Sequence, residues 1–433
     1  MNKGLINLLE RLKKNRILAS ILAISGGTMF AQVLSTITTP IVTRMFSASE
    51  YGILTTFNSI LSILGIVGAL KYELSILVAD DDETSISCFR LSVIVLMITT
   101  SILTFILFLN NRIILPYLGA DNLAEYWYMI PIGIFLIQYF AIAIQFSYRQ
   151  RDFKKISLTM VKQSVVGNVA KIVLGVLGIG PIGLLLSRVL SDSVGVLSLT
   201  KPIIRHPLFR KENRYSLCKI AKRFWRFPVF QFPSTIMSQM ALNLPVFFLG
   251  IIYDSSVVGA FGLANTVVNL SMDLVGKSVS NVFYAEAAKI ARTSPEELKE
   301  LSNSILKKMI LLGLIPLVVL LLFGEVLFAF VFGSEWRISG IYASVMSVGI
   351  FFNFIFTPVS RVFEIYNKQK CTLLLNGLNL ILMGSVFGLA SKNEISIYVT
   401  LALYTAVKSI ISVFTFLLSR WFINERVKTQ SVL

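Results

Sequence analysis

The chain has 433 residues, 55% of them hydrophobic and only 15% charged, with a mean hydropathy of +0.75 and a formal charge of +17. Soluble domains carry roughly 25% charged residues, so a soluble fold is excluded and an integral membrane protein is indicated. The basic residues fall between apolar runs, where a membrane protein keeps its anchors, so the positive balance does not imply a nucleic-acid partner.

The chain opens with MNKGLINLLERLKKN, which sets Leu5, Leu8, Leu9 and Leu12 on one helical face and basic residues on the other. That pattern predicts an interfacial helix rather than a signal peptide. Apolar runs of roughly 20 residues then recur, each long enough to cross a hydrocarbon core of about 30 Å as a helix. They lack period-two alternation, so helices rather than a β-barrel are expected. Twelve spans are predicted: 17–43, 51–79, 86–109, 126–148, 156–178, 181–200, 225–252, 257–283, 305–324, 338–358, 370–390 and 395–418.

Span one carries Thr28, Gln32, Thr36, Pro40 and Arg44 at every fourth position and ends in PIVTRMFSASEYG, with Gly52 opening the next span. Spacing by four makes one slowly drifting stripe on a helix. Span seven repeats the arrangement with Gln231, Thr235, Gln239 and Asn243, followed by Pro245 and then Gly259. Two related halves are therefore expected, each led by a helix that turns a polar stripe away from lipid. Span eight adds Asn265, Asn269, Asp273, Lys277 and Asn281 in the same register. Five polar groups in line predict a hydrated central cleft, whereas single asparagines only bridge helices. Prolines 40, 245, 316 and 358 fall within or near span ends and are candidate bends.

The loop from Lys201 to Phe224 divides the spans six and six. It places Arg205, Arg210, Lys211, Arg214, Lys219, Lys222 and Arg223 around Leu217, Ile220 and Phe224, and is expected to lie partly on an anionic membrane surface. The expected organisation is an N-terminal lobe 1–200, a basic amphipathic linker 201–224 and a C-terminal lobe 225–433. Both halves hold an even number of spans, so the repeat is parallel. With both termini inside, the cytoplasmic segments hold about 31 of the 40 basic residues and the opposite face about four, Arg44, Arg112, Arg337 and Lys392. That bias sets a multi-pass topology in the cytoplasmic (inner) membrane with both termini cytoplasmic. Ser294-Pro295-Glu296-Glu297 predicts a capping-box start to a short surface helix, and the longest outer loop is expected at 110–125.

Charges inside spans are costly, at least about 2.5 kcal/mol each at mid-bilayer, and persist only facing protein or water. They are Lys162, Lys171, Arg188, Asp192, Asp273, Lys277 and Lys408. Arg188 with Asp192, and Asp273 with Lys277, stand one turn apart and are expected to pair. Lys162, Lys171 and Lys408 lack an acidic neighbour at helical spacing, so the interior keeps a surplus of positive charge that calls for an anionic ligand. Arg44, Lys162, Lys171, Arg188, Lys277 and Lys408 are accordingly the expected phosphate-binding residues. Asp192 and Asp273 are candidates for charge pairing or coupling. The polar lining is expected from Gln32, Thr36, Gln231, Thr235, Gln239, Asn243, Asn265 and Asn269. Nothing in the chain calls for a cofactor: Cys88, Cys218 and Cys371 are far apart, the lone histidine is His206, and Val275-Gly276-Lys277-Ser278 lacks the first glycine of a phosphate loop, Ser271 standing there. The acidic run from Asp80 to Glu83 is read as a solvated turn.

With these residues in view, the chain resembles the polysaccharide exporters and Wzx-type oligosaccharide flippases of the multidrug/oligosaccharidyl-lipid/polysaccharide superfamily. The resemblance rests on TRMFSASEYG (43–52), KYELSILVADDDE (71–83), RFPVFQFPS, LPVFFL, VGAFGLANTVV and FVFGSEW (330–336), in that order along the whole chain. Val78-Ala79 departs from the Leu-Pro of many relatives. The resemblance implies an all-α membrane fold of about 12 helices in two six-helix lobes around a central cleft. It also implies movement of undecaprenyl-diphosphate-linked oligosaccharides across the inner membrane by alternating access, for O-antigen, capsule or exopolysaccharide. Polysaccharide polymerase and chain-length machinery are the implied partners. A drug or metabolite exporter of the same superfamily is the second hypothesis, set back by the lysine surplus. A membrane glycan polymerase is the third, set back by short outer loops.

Overall fold

The computed structural model describes residues 16–204, 216–271, 275–291, 294–366 and 368–431. The expected N-terminal interfacial helix, His206 and Asp273 lie outside the described residues.

Among the described residues the secondary structure is helical. In order, the long helices are α1 (Arg16–Thr43), α2 (Ala48–Ala69), α3 (Asp82–Tyr117), α4 (Met129–Arg149), α5 (Phe153–Val176) and α6 (Pro181–Ile204). A short α7 (Leu217–Arg223) leads through a π-helical turn, Phe227–Gln231, into α8 (Phe232–Ile252). There follow α9 (Ser255–Ser271), α10 (Lys277–Ile290), α11 (Pro295–Phe332), α12 (Arg337–Ser360), α13 (Gln369–Lys392) and α14 (Ile397–Ser431). Each of the twelve predicted spans thus meets a helix, the eighth being shared by α9 and α10. Among the described residues, nine helical stretches are long and apolar enough to cross a membrane, and α5, which carries Lys154, Lys155, Lys162 and Lys171, is not one of them. The protein is a multi-pass membrane protein of two compact units, Met1–Met240 and Ala241–Leu433, the division falling within α8.

Span ends differ from expectation for local reasons. Span two closes at Ala69, because Leu70 and Lys71 take left-handed backbone angles (φ 48° and 66°) and break the helix. Residues 72–78 then form a 3-10 turn and a short helix, with Ile76 buried. The expected outer loop at 110–125 is largely helical: non-helical angles at Asn110 (φ −131°, ψ 16°) kink α3, which runs on to Tyr117, and a 3-10 helix covers Asp121–Tyr126. Ser294 makes no side-chain cap, and the expected surface helix is the first part of α11 itself. The real capping box lies at the head of α2. There the Ser47 side chain accepts from the Glu50 backbone N–H at 3.3 Å, and Glu50 accepts from the Ser47 N–H at 2.8 Å. This gives the Glu-Tyr-Gly string after span one its physical content. Prolines 40, 245, 316 and 358 all sit inside helices.

In the first unit, the segment 71–83 is tied down by Arg149 at the end of α4. Its guanidinium donates to the Ile76 carbonyl (3.2 Å), the Ala79 carbonyl (2.7 Å) and Asp82 (3.0 Å). Asp81 caps α3 through Thr84, whose backbone and hydroxyl bonds hold its carboxyl below the usual carboxylate range. The acidic run is an exposed turn, as expected, and Asp80, Asp81 and Asp82 are also engaged with Arg223, Thr84 and Arg149. In the second unit, α11 and α12 meet backbone to backbone at Gly324 and Gly340: a Cβ built on Gly340 would stand 2.3 Å from the Gly324 carbonyl oxygen.

Candidate functional site

Within the first unit, α1, α4, α5 and α6 surround a polar cavity of about 420 Å³. α1 and α5 supply much of its wall. They meet through small polar side chains. Thr38 donates to the Asn168 side-chain Oδ1 at 2.7 Å, Asn168 Nδ2 donates to the Ser35 hydroxyl at 3.1 Å and to the Ser164 backbone carbonyl at 2.8 Å, and the Ser164 hydroxyl donates to the Ala31 backbone carbonyl at 2.9 Å. α5 and α6 approach closely where Gly167 faces Ser191, a built Cβ lying 3.0 Å from that serine, and Ser191 donates to the Gln163 carbonyl at 2.8 Å. At Gly195 the missing side chain leaves room for the Gln163 amide and Phe140.

These contacts hold a lining with two cations and one carboxylate. Arg188 donates through Nε to Asp192 at 3.0 Å, the pairing expected from their spacing, and Asp192 is buried. Lys171, one helix away and within electrostatic reach of Arg188, makes no hydrogen bond or ion pair among the described residues. The side-chain amides of Gln32 and Gln163 are likewise uncommitted there. The cavity thus presents an ammonium, the free edge of a guanidinium and two amides, with Phe140, Ile137 and Met160 as apolar wall. Its single acidic group already faces one of the cations.

The other expected site residues lie elsewhere. Thr36 and Arg44 are exposed, and the Thr36 hydroxyl donates to the Gln32 carbonyl, outside the cavity lining. The reason is geometric: at 3.6 residues per turn, every fourth residue drifts about 40° per step. Thr28 and Gln32 therefore reach the cavity while Thr36 and Arg44 have rotated off it. Ser35, Thr38 and Val42 continue the inward face instead. Lys162 is exposed on α5.

Gln231 and Thr235, in the last residues of the first unit, bond to each other at the start of α8, Thr235 donating to the Gln231 carbonyl at 2.8 Å. Gln239 and Asn243 are half-buried on α8. Asn269 donates to Asn265 at 2.7 Å along α9, and Lys277 is exposed at the start of α10. Of the five-residue ladder of span eight, Asn265 and Asn269 stand on α9 and Lys277 and Asn281 on α10, while Asp273 lies outside the described residues. Lys408 of α14 sits over the Tyr404 ring at 5.7 Å.

Sequence reasoning reached Gln32, Lys171, Arg188 and Asp192 but missed Ser35, Gln163, Ser164, Asn168, Ser187 and Ser191. Their signal was present in the low hydropathy of span five and the i, i+4 spacing of Ser164 with Asn168 and of Ser187 with Ser191. Small polar residues are common helix contacts in membranes, which is why they attracted no attention.

The sequence model of the family described as "Polysaccharide biosynthesis protein" matches residues 41–341. The chain belongs to that polysaccharide biosynthesis family. In structure it is similar to the lipid II flippase MurJ in an inward closed conformation, with a TM-score of 0.69 and 17% identity over 92% of this chain and 87% of that one. It is also similar to an inward-facing multidrug resistance MATE family transporter of the MOP superfamily, with a TM-score of 0.65 and 17% identity over 94% and 95%. A MOP superfamily transporter from Pyrococcus furiosus gives 0.60 and 16% over 94% and 95%. At such identities the likeness shows the fold: the twelve-helix, two-lobe membrane architecture of that superfamily. No curated protein matches in sequence.

Proposed function

We propose that this polysaccharide-family chain is a membrane flippase that carries a sugar-bearing lipid diphosphate, of the undecaprenyl-diphosphate oligosaccharide kind, between leaflets for surface-polysaccharide assembly. The observation that carries this reading is the lining of the first unit's cavity, where Lys171 and Arg188 face one space against the single carboxylate of Asp192. In a medium of low dielectric such cations attract phosphate far more strongly than in water, and several together offset the cost of dehydrating it. The uncommitted amides of Gln32 and Gln163 suit hydroxyl-rich sugars, and Phe140 offers an apolar ring for a pyranose face. Both the family and the likeness to a lipid II flippase support the same direction. The drug-exporter alternative requires a cavity that favours cations, and a lining with a positive surplus disfavours it.

Deletion of the gene should leave lipid-linked repeat units on the inner leaflet and deplete surface polymer. Units found on the outer leaflet, unpolymerised, would assign the chain to polymerisation instead.

A further inference from the structure

The linker 201–224 was expected to lie partly on an anionic membrane surface, and the structure packs the apolar side of its helix α7 against protein. Ile220 is buried in the core of the first unit together with Ile76, Phe89, Phe146, Leu199 and Ile203. Leu217, Ala221 and Phe224 pack against the same core, completing the i, i+3, i+4, i+7 face of an amphipathic helix. Two polar contacts fix its orientation: Arg223 pairs with Asp80, and the Tyr72 hydroxyl donates to the Ala221 carbonyl at 3.4 Å.

What remains outward is cationic. Lys219 and Lys222, one turn apart on α7, and Arg226, which enters the Phe227–Ile252 spanning stretch, are all exposed. None of the three makes a hydrogen bond or ion pair among the described residues. The acidic groups beside α7 are already engaged: Asp80 with Arg223, Asp82 with Arg149, Asp81 with Thr84 and Glu73 with Lys71. Trp225, between these cations, is exposed and stands against the Phe230 ring at 5.8 Å. Tryptophan next to cations at the mouth of a spanning helix is the composition of a membrane–water interface.

We infer that Lys219, Lys222 and Arg226 form a built site for the phosphate headgroups of anionic lipids. It lies beside the Arg223–Asp80 pair, on the membrane face that carries the linker. The occupant follows from position and charge: Arg226 immediately precedes the spanning residues, so the patch lies at headgroup depth, and no carboxylate on the described protein answers it. The inference is independent of what the first unit's cavity transports.

The test uses the purified full chain in vesicles of phosphatidylcholine with or without phosphatidylglycerol, and native mass spectrometry of the lipid retained. Wild type should retain phosphatidylglycerol in preference to phosphatidylcholine, and added salt should weaken the preference. The triple variant Lys219→Gln, Lys222→Gln, Arg226→Gln should lower that preference on the order of tenfold to a hundredfold. The charge-preserving triple Lys219→Arg, Lys222→Arg, Arg226→Lys should restore it. Unchanged retention in the Gln triple would overturn the site. Displacement of bound phosphatidylglycerol by soluble glycerol phosphate at comparable concentration would also overturn it, in favour of a site for free phosphate.

Discussion

The cavities of the two units are made of the same kind of helices and differ in almost every chemical respect. In the first unit, about 420 Å³ is lined by Lys171, Arg188, Asp192, glutamines and serines. In the second, about 110 Å³ lies among Val268, Leu312, Pro316, Leu317, Ile350 and Phe354. Both halves advertise a polar ladder at every fourth residue of their leading helix, so the sequence treats them alike. What separates the cavities is which helices line them. α1 packs on α5, which brings its own serines, asparagine and lysine to the shared face. In the second unit the cavity is lined from α9, α11 and α12 and by no residue of α8, and the proline-bearing α11 meets α12 through glycines and phenylalanines, with Gly313 giving way to Phe351 and Phe354. The ladder of α8 has no part in it.

The largest expected effect comes from removing the asymmetry. Lys171→Gln with Arg188→Gln should lower transport on the order of a hundredfold, since charge-assisted hydrogen bonds contribute about 1.5–3 kcal/mol each. Protein level in the membrane should stay unchanged, and Lys171→Arg should retain transport. Lys277→Gln, outside both cavities, should change it little. Assay of lipid-linked units in complemented deletion strains measures all three.

The second unit should break by stability instead. Gly340→Ala puts a Cβ against the Gly324 carbonyl and the Glu325 backbone, neither of which is a flexible side-chain end. A loss of about 1–3 kcal/mol is expected, visible as a lower midpoint in thermal unfolding, with ligand affinity of the folded protein preserved. Asn168→Leu tests the framework of the first unit. It removes the bonds that Asn168 makes with Thr38 and Ser35 across the α1–α5 contact, at about 1 kcal/mol each, and should reduce both thermal stability and transport.

Much of the architecture could be read in advance because bilayer thickness imposes it. Each of the twelve apolar runs met a helix, the eighth meeting α9 and α10, and Arg188 with Asp192 paired as helical spacing required. The finer site could not be read, for two reasons. The fourfold ladder in span one ignores helical drift, so it included Thr36 and Arg44 while passing over Ser35 and Thr38. The sequence also does not say which helix faces which, so Lys162 and Lys171, nine residues apart on α5, looked equivalent, although only Lys171 lines the cavity. The linker gives the same lesson, since amphipathic spacing located its apolar face but not whether lipid or protein would cover it.

The smallest effect concerns the acidic segment after α2. Asp81→Ala removes the cap of α3 and should cost about 1 kcal/mol. Because its carboxyl is held low in the folded protein by Thr84, this contribution is present above the unfolded carboxylate range and lost as pH falls through the depressed folded value. Wild type and Asp81→Ala should therefore converge in thermal stability at strongly acidic pH and separate at neutral pH.

The most direct test of the account is binding of undecaprenyl diphosphate to the purified protein, followed by native mass spectrometry across salt concentration. Wild type and Lys277→Gln should bind it alike, and the Lys171→Gln, Arg188→Gln variant should lose affinity on the order of a hundredfold. Equal affinity in that double variant, in folded protein, would contradict the claim that the first unit's cavity holds the phosphates.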